Sequence, residues 1–129
     1  MVVDDNFVNR KVLVKFLEHL GEVDVAVNGR EAMEAIELGH TEKAPYHLIL
    51  LDIMMPEMDG QETLQAIREF EKKHEIYTSD GVKIIMVTAL SDSKSIMHAF
   101  RYGCENYITK PVDRSKLLDS VRKLGFEAP

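Results

Sequence analysis

The chain has 129 residues, 45% of them hydrophobic and 29% charged, which is the composition of one globular domain. Its formal net charge of −6 argues against direct binding to nucleic acid, because the phosphate backbone attracts basic surfaces. The single cysteine, Cys104, excludes an internal disulfide and a multi-thiolate zinc site. No apolar run approaches the ~20 residues of a membrane span and no leader peptide is evident, so we expect one domain over residues 1–129, in the cytoplasm and not in a membrane.

Short apolar runs alternate along the chain with segments of helical periodicity. The runs predict strands at 1–3, 23–27, 48–51, 82–87 and 106–108. Hydrophobic residues spaced three and four apart predict a helix after each strand, within 8–20, 32–36, 64–70, 96–100 and 117–124. The charged run 69–75 is typical of a solvated helix face.

The aliphatic runs in the middle of the chain show no polar alternation, which is typical of parallel strands covered by helices on both faces. Five strand–helix units joined by right-handed crossovers predict an α/β fold, a doubly wound (βα)5 three-layer sandwich. We expect a five-stranded parallel sheet in the flavodoxin-like order 2-1-3-4-5. In that order the second strand lies at an edge, and the other four are neighbours.

Polar residues follow the four neighbouring strands. Asp4 and Asp5 follow the first strand, Asp52 the third, Thr88 the fourth and Lys110 the fifth. Because the carboxyl ends of parallel strands meet at one edge of the sheet, we expect these side chains to converge. Helix capping would account for any one of the acids, but it does not account for a lysine among three of them.

Three carboxylates at one edge repel each other, so either one of them has a raised pKa or a cation lies among them. Oxygen ligands without nearby cysteine or histidine favour Mg²⁺ or Mn²⁺ over zinc. A cation, an aspartate nucleophile, the Lys110 ammonium and the Thr88 hydroxyl together indicate phosphoryl transfer. The chain has no glycine-rich phosphate loop, so a nucleotide is not favoured.

Four segments of the chain carry recognisable motifs. They are VVDDN at 2–6, LLDIMMP at 50–56 with Asp59-Gly60 after it, VTA at 87–89, and YITKP at 107–111. Together they resemble the motifs of response regulator receiver domains, the CheY-like family, over essentially the whole chain. Only three residues precede Asp4, fewer than is usual in that family, so we expect unpaired backbone groups beside the short first strand unless that strand is completed in some other way.

The resemblance implies roles for the acidic residues. Asp52 matches the phosphoacceptor and also a metal ligand. Asp5 matches a direct ligand of the metal, Asp4 assists it, often through water, and the backbone carbonyl of Met54 completes the protein's share.

The resemblance also implies how the phosphoryl group is held and sensed. Lys110 matches the lysine that binds the phosphoryl group, and its bond to Pro111 is cis in the family. Thr88 matches the hydroxyl that turns toward the phosphoryl group. Tyr107 matches the aromatic residue that swings inward when Thr88 moves.

The function implied is that of a phosphorelay receiver. A phosphohistidine on a sensor histidine kinase or a histidine phosphotransfer protein would donate to Asp52, and the face made by helix four, strand five and helix five would change. The domain would be a signalling module with modest self-phosphorylation and self-dephosphorylation chemistry, and not an enzyme.

Two other functions stay open. One is a phosphatase of the haloacid dehalogenase type, which also has an aspartyl nucleophile. Such an enzyme needs a second aspartate where this chain has Met54. The other is a degenerate receiver that serves only for docking, against which the presence of the three acids, the hydroxyl and the lysine argues.

Overall fold

The computed structural model describes residues 1–77 and 79–127. These residues form five strands that alternate with five α-helices, as predicted. The elements are β1 (Val2–Val3), α1 (Phe7–Leu17), a 3-10 turn (Glu18–Leu20), β2 (Val25–Ala26), α2 (Gly29–Thr41), β3 (Leu48–Leu51), α3 (Gly60–Lys73), β4 (Lys83–Thr88), α4 (Ser93–Arg101), β5 (Asn106–Thr109) and α5 (Arg114–Lys123).

The strands form one parallel sheet in the order β2-β1-β3-β4-β5, which confirms the predicted doubly wound fold. In the register of the sheet Leu51 lies beside Val3 on one side and Met86 on the other, and Thr88 lies beside Thr109. The carboxyl ends of the four neighbouring strands therefore open onto one edge of the sheet.

The short first strand pairs with its neighbours on both sides. The Met1 amino group donates to the Leu48 carbonyl at 2.7 Å, and the Met1 carbonyl accepts from the Leu50 amide at 3.0 Å. The Asp52 amide donates to the Val3 carbonyl, also at 3.0 Å. The expectation of unpaired groups is therefore wrong for this part of β3.

Both faces of the sheet are covered by helices. Val3, Leu51 and Met86 belong to the apolar cluster under α2, α3 and α4, whereas Val2 and Leu50 belong to the cluster under α1 and α5. Successive strand residues point to opposite faces, so both faces need apolar side chains. This double burial is the reason why the strands show no polar alternation.

Each of the five helices begins at the edge of the sheet where the strands end. A side-chain oxygen of an Asn or Asp residue accepts a backbone N–H of the first turn in every case, from Asn6, Asn28, Asp59, Asp92 and Asp113. Such caps each stabilise a helix by about 1 kcal/mol. These caps therefore determine the residue at which each loop ends and the helix begins. Within the described residues, no helix is both long and apolar enough to cross a bilayer.

Candidate functional site

Three acidic residues meet at the carboxyl edge of the sheet. Asp4 follows β1 and Asp52 follows β3, and these strands are neighbours in the sheet. One carboxylate oxygen from each of Asp4, Asp5 and Asp52 lies within 4.8 Å of the others. Asp4 and Asp52 are only 1% and 5% exposed, whereas Asp5 faces solvent. The predicted convergence of the acids is therefore present.

Lys110 reaches the acidic residues from the end of β5, which is an edge strand of the sheet. Its Nζ donates to Asp4 Oδ2 at 2.7 Å and to Asp52 Oδ2 at 2.9 Å. Burial alone would lower the pKa of Lys110, but the hydrogen bonds and charges of the two aspartates outweigh it and raise the pKa above its ordinary value. The lysine is therefore a fixed positive charge between two buried acids.

The backbone around Lys110 explains how it reaches the acids. Its amide donates to the Thr88 carbonyl at 2.8 Å, and the bond from Lys110 to Pro111 is cis, as the resemblance implies. The lysine is thus attached to the end of β4, next to the strand that delivers Asp52.

The other oxygens of the buried acids are also hydrogen bonded. Asp4 Oδ1 accepts from the Asn6 amide at 2.9 Å, and Asp52 Oδ1 accepts from the Met54 amide at 3.3 Å. One lysine against three acids leaves these four side chains with a net charge of −2 when all are ionised. A set of oxygen donors with this charge fits Mg²⁺, which prefers carboxylates, carbonyls and water.

The loop from β3 to α3 is held close to the acids by a glycine. A side chain at Gly60 would bring its Cβ to 2.1 Å from the Asp52 carbonyl oxygen, so only glycine lets α3 begin this close. The Gly60 amide donates to the Ile53 carbonyl at 2.9 Å. Met54 lies in this loop with 57% of its surface exposed. The role of its carbonyl as a metal ligand stays a prediction.

The two predicted switch residues both contact the backbone of Leu90. Thr88 is fully buried at the end of β4, and its Oγ1 accepts from the Leu90 amide at 3.4 Å. The Tyr107 hydroxyl donates to the Leu90 carbonyl at 2.7 Å. Burial and the nearby charge of Asp92 raise the pKa of Tyr107 to about 12, so this hydroxyl keeps its proton.

Tyr107 is half-buried and packs against the apolar cluster under α2, α3 and α4. The ring is therefore turned inward already, with the loop after β4 attached to it. No part in the switch was predicted for Leu90, because it takes that part through its backbone. No side-chain pattern in the sequence reveals such a contact.

Replacing Asp5 with asparagine is expected to stabilise the metal-free domain and to remove its stabilisation by Mg²⁺. The change relieves repulsion among three close carboxylates, and a rise in Tm of about 4 °C in EDTA would correspond to a gain on the order of 1 kcal/mol. Thermal unfolding in EDTA and in Mg²⁺ measures both effects, because a ligand that binds only the native state raises Tm. Asp113→Asn, which alters an exposed helix cap, is the control and should change neither.

The comparisons with known proteins agree with this geometry. Residues 1–122 match the family described as "Response regulator receiver domain". A chain of a CheX–CheY–BeF3–Mg²⁺ complex from Borrelia burgdorferi superposes with a TM-score of 0.82 at 28% identity, over 98% of this chain and 87% of that one. The receiver domain of the histidine kinase CKI1 from Arabidopsis thaliana gives a TM-score of 0.81 at 29% identity, over 95% of this chain and 86% of that one.

The fold and the site therefore define a CheY-like α/β signalling domain. The chain belongs to the response regulator receiver domain family. It is 31% identical over 121 residues to the chemotaxis protein CheY of Treponema pallidum, covering 94% of this chain and 78% of that protein. It is 40% identical over 129 residues to hybrid signal transduction histidine kinase B of Dictyostelium discoideum. That match covers 95% of this chain but only 6% of the kinase's length.

Proposed function

We propose that this chain is one receiver domain, residues 1–129, which accepts a phosphoryl group on Asp52 in a Mg²⁺-dependent or Mn²⁺-dependent step. The donor would be the phosphohistidine of a sensor histidine kinase or of a histidine phosphotransfer protein. The single observation that carries the proposal is Lys110, which bridges two buried aspartates beside a third. A buried acid that only capped a helix would need neither the lysine nor the other acids.

The chemistry would be an in-line displacement at phosphorus. A carboxylate oxygen of Asp52 forms a bond to phosphorus while the bond from phosphorus to the imidazole nitrogen breaks, and its electron pair returns to the imidazole. Bound by Asp4, Asp5, Asp52 and the Met54 carbonyl, Mg²⁺ would supply positive charge that offsets the charge of the transferring group. The Lys110 ammonium, which now contacts Asp52 Oδ2, would instead donate to a phosphoryl oxygen.

The conformational change would be transmitted through the backbone of Leu90. The phosphoryl group adds roughly −1.5 to −2 charges and strong acceptor oxygens, so the Thr88 hydroxyl would turn to donate to it. The Leu90 amide would then lose its partner on Thr88, while the inward ring of Tyr107 would keep its hydroxyl on the Leu90 carbonyl and so hold the loop after β4 in its new position. The face formed by α4, β5 and α5 would shift its population, and downstream partners would bind that face.

We propose a signalling module and not an enzyme, located in the cytoplasm, with neither nucleic acid nor a membrane as a direct partner. The single cysteine supports a reducing compartment, since Cys104 is a buried free thiol. Burial and the neighbouring charge of Glu105 raise the pKa of Cys104 to about 11, so it stays protonated and unreactive.

Incubation with Mg²⁺ and acetyl phosphate tests the function. A receiver takes up one phosphoryl group per chain and releases phosphate only slowly, and we expect this result. Continuous turnover of acetyl phosphate or of phosphomonoesters would instead identify an aspartyl phosphatase. No uptake at all would identify a domain that serves only for docking. Either of these two outcomes would overturn the proposal.

The lifetime of the phosphoryl group is expected to be long. Met54 and Leu90 lie two residues past Asp52 and Thr88, and their apolar side chains cannot orient an attacking water. Met54→Asn combined with Leu90→Glu should speed the decay of phosphorylated Asp52 by at least about tenfold, since positioned proton acceptors contribute more than that when ideally placed. Release of inorganic phosphate after removal of the donor measures the rate.

The control for this lifetime is the apolar exchange Met54→Leu with Leu90→Met, which should leave the decay unchanged. Leu90 is half-buried against the apolar cluster, so unfolding curves of both double variants should accompany the rates. Equal decay rates in a folded Met54→Asn, Leu90→Glu protein would show that these positions do not control hydrolysis.

A further inference from the structure

Arg10 makes a contact with the site that the chemistry described above does not use. It lies on α1, and its Nη1 donates to the backbone carbonyl of Asp4 at 2.8 Å. The Asp4 amide donates to the Ala26 carbonyl in β2 at 3.1 Å. Asp4 is the first residue beyond β1, so its amide is held by the sheet and its carbonyl by a side chain from the following helix.

The contact closes a short loop around Asp5. The Asn6 amide donates to Asp4 Oδ1 at 2.9 Å, and the Asn9 amide donates to Asn6 Oδ1 at 2.9 Å. With Arg10, three hydrogen bonds tie the residues on either side of Asp5 to each other and to α1. Asp5 itself faces solvent, so the backbone of this loop determines where its carboxylate lies relative to Asp4 and Asp52.

Charge alone would give Arg10 the opposite effect on a bound cation. A guanidinium this close to Asp4 repels a divalent ion, so removing its charge should strengthen cation binding if electrostatics were its whole contribution. Residues that orient metal ligands behave differently, since losing them weakens metal binding by roughly 10–100-fold. The sign of the change in Mg²⁺ affinity therefore separates the two effects.

We propose that Arg10 is a positioning residue for the cation site. Its guanidinium fixes the Asp4 carbonyl and thereby the Asp5 carboxylate in the arrangement that binds Mg²⁺. This inference rests on the proposed function only in that it assumes a divalent cation among Asp4, Asp5 and Asp52.

The test is a calorimetric titration of the domain with MgCl2 in the absence of any phosphodonor. Arg10→Gln removes the donor and its charge, and we expect Mg²⁺ to bind about tenfold more weakly. Lys11→Gln is the matched control, because Lys11 is the next residue of α1, is exposed, and lies over the Phe7 ring at 5.9 Å as Arg10 does at 5.8 Å. Its Mg²⁺ affinity should equal or slightly exceed that of the wild type.

A second variant protects the test against poor folding. Arg10→Met keeps the aliphatic stem but has no donor, and it should show the same tenfold loss. Unfolding curves in EDTA confirm that each variant is folded before titration. Mg²⁺ affinity in folded Arg10→Gln and Arg10→Met that equals or exceeds that of Lys11→Gln would overturn the positioning role. A wild-type chain that binds no Mg²⁺ would instead contradict the proposed function itself.

Discussion

Replacing Asp52 with asparagine is expected to reduce phosphoryl uptake from acetyl phosphate to background while the domain stays folded. The amide has nearly the same size, and its oxygen can still accept from Lys110, but it lacks the anionic oxygen that would attack phosphorus in the proposed transfer. Label per chain after incubation with Mg²⁺ and acetyl phosphate measures the loss.

The matched control for this experiment is Asp59→Asn. Asp59 lies later in the loop after the same strand, is half-buried, and caps α3 by accepting from the Glu62 amide at 2.9 Å. Asparagine caps helices as well as aspartate does, so this variant should label like the wild type. Phosphoryl uptake that survives in Asp52→Asn but falls in Asp59→Asn would show that Asp52 is not the acceptor.

Replacing Arg68 with methionine is expected to destabilise the domain by about 3–5 kcal/mol. The Arg68 side chain is 21% exposed, and its guanidinium lies 2.7 Å from Glu71 Oε1 and 2.8 Å from Glu105 Oε1. It also donates to the carbonyls of Val82 and Gly103. It therefore joins α3 to the start of β4 and to the connection between α4 and β5.

The cost is large because Glu71 and Glu105 would both lose the cation that pairs with them. Glu71 and Glu105 have side chains that are 11% and 21% exposed, and each also accepts a backbone amide, from Val82 and Ile84. Removing one partner of such a group leaves buried charge uncompensated. A loss of this size is a large part of the 5–15 kcal/mol that stabilises a typical domain.

Urea unfolding measures this effect, with Arg122→Met as the control. Arg122 pairs with Asp119 at 2.9 Å, but both side chains are about 60% exposed, so that pair should contribute less than about 1 kcal/mol. Free energies of unfolding that fall equally in the two variants would show that the Arg68 network stabilises the domain no more than an exposed ion pair does.

The acidic site could be predicted from the sequence because it depends on strand order. Asp4 and Asp52 follow strands that are neighbours in the sheet, and the register places their ends side by side. Lys110 follows the edge strand β5, and its length allows it to reach across β4. A repeated local pattern of strand, polar residue and helix was enough to bring these groups together.

Contacts that involve the backbone could not be predicted in this way. Arg10 holds the Asp4 carbonyl, and Tyr107 holds the Leu90 carbonyl. Every residue has a backbone carbonyl, so the sequence does not show which carbonyl accepts a hydrogen bond from a given side chain. The inward position of Tyr107 depends on the path of the loop after β4, which residue types alone do not determine.

The prediction that the charged run 69–75 is a solvated face was wrong at Glu71. This residue is 8% exposed, and it pairs with Arg68. The periodicity of α3 places Glu71 four residues after Ile67, on the face that packs inward. A buried glutamate there was unexpected because its partners are the amide of Val82, just before β4, and Arg68, one turn earlier.

The most direct measurement is to identify the residue that carries the phosphoryl group in the wild-type chain. The domain is treated with Mg²⁺ and acetyl phosphate, reduced with borohydride, which converts an aspartyl phosphate to homoserine, and digested for peptide mass spectrometry. We expect homoserine at position 52 and nowhere else. Homoserine at another acid, or an acid-stable phosphate on a serine, threonine or tyrosine, would contradict the proposal that the four strand ends form a phosphoryl-acceptor site around Asp52.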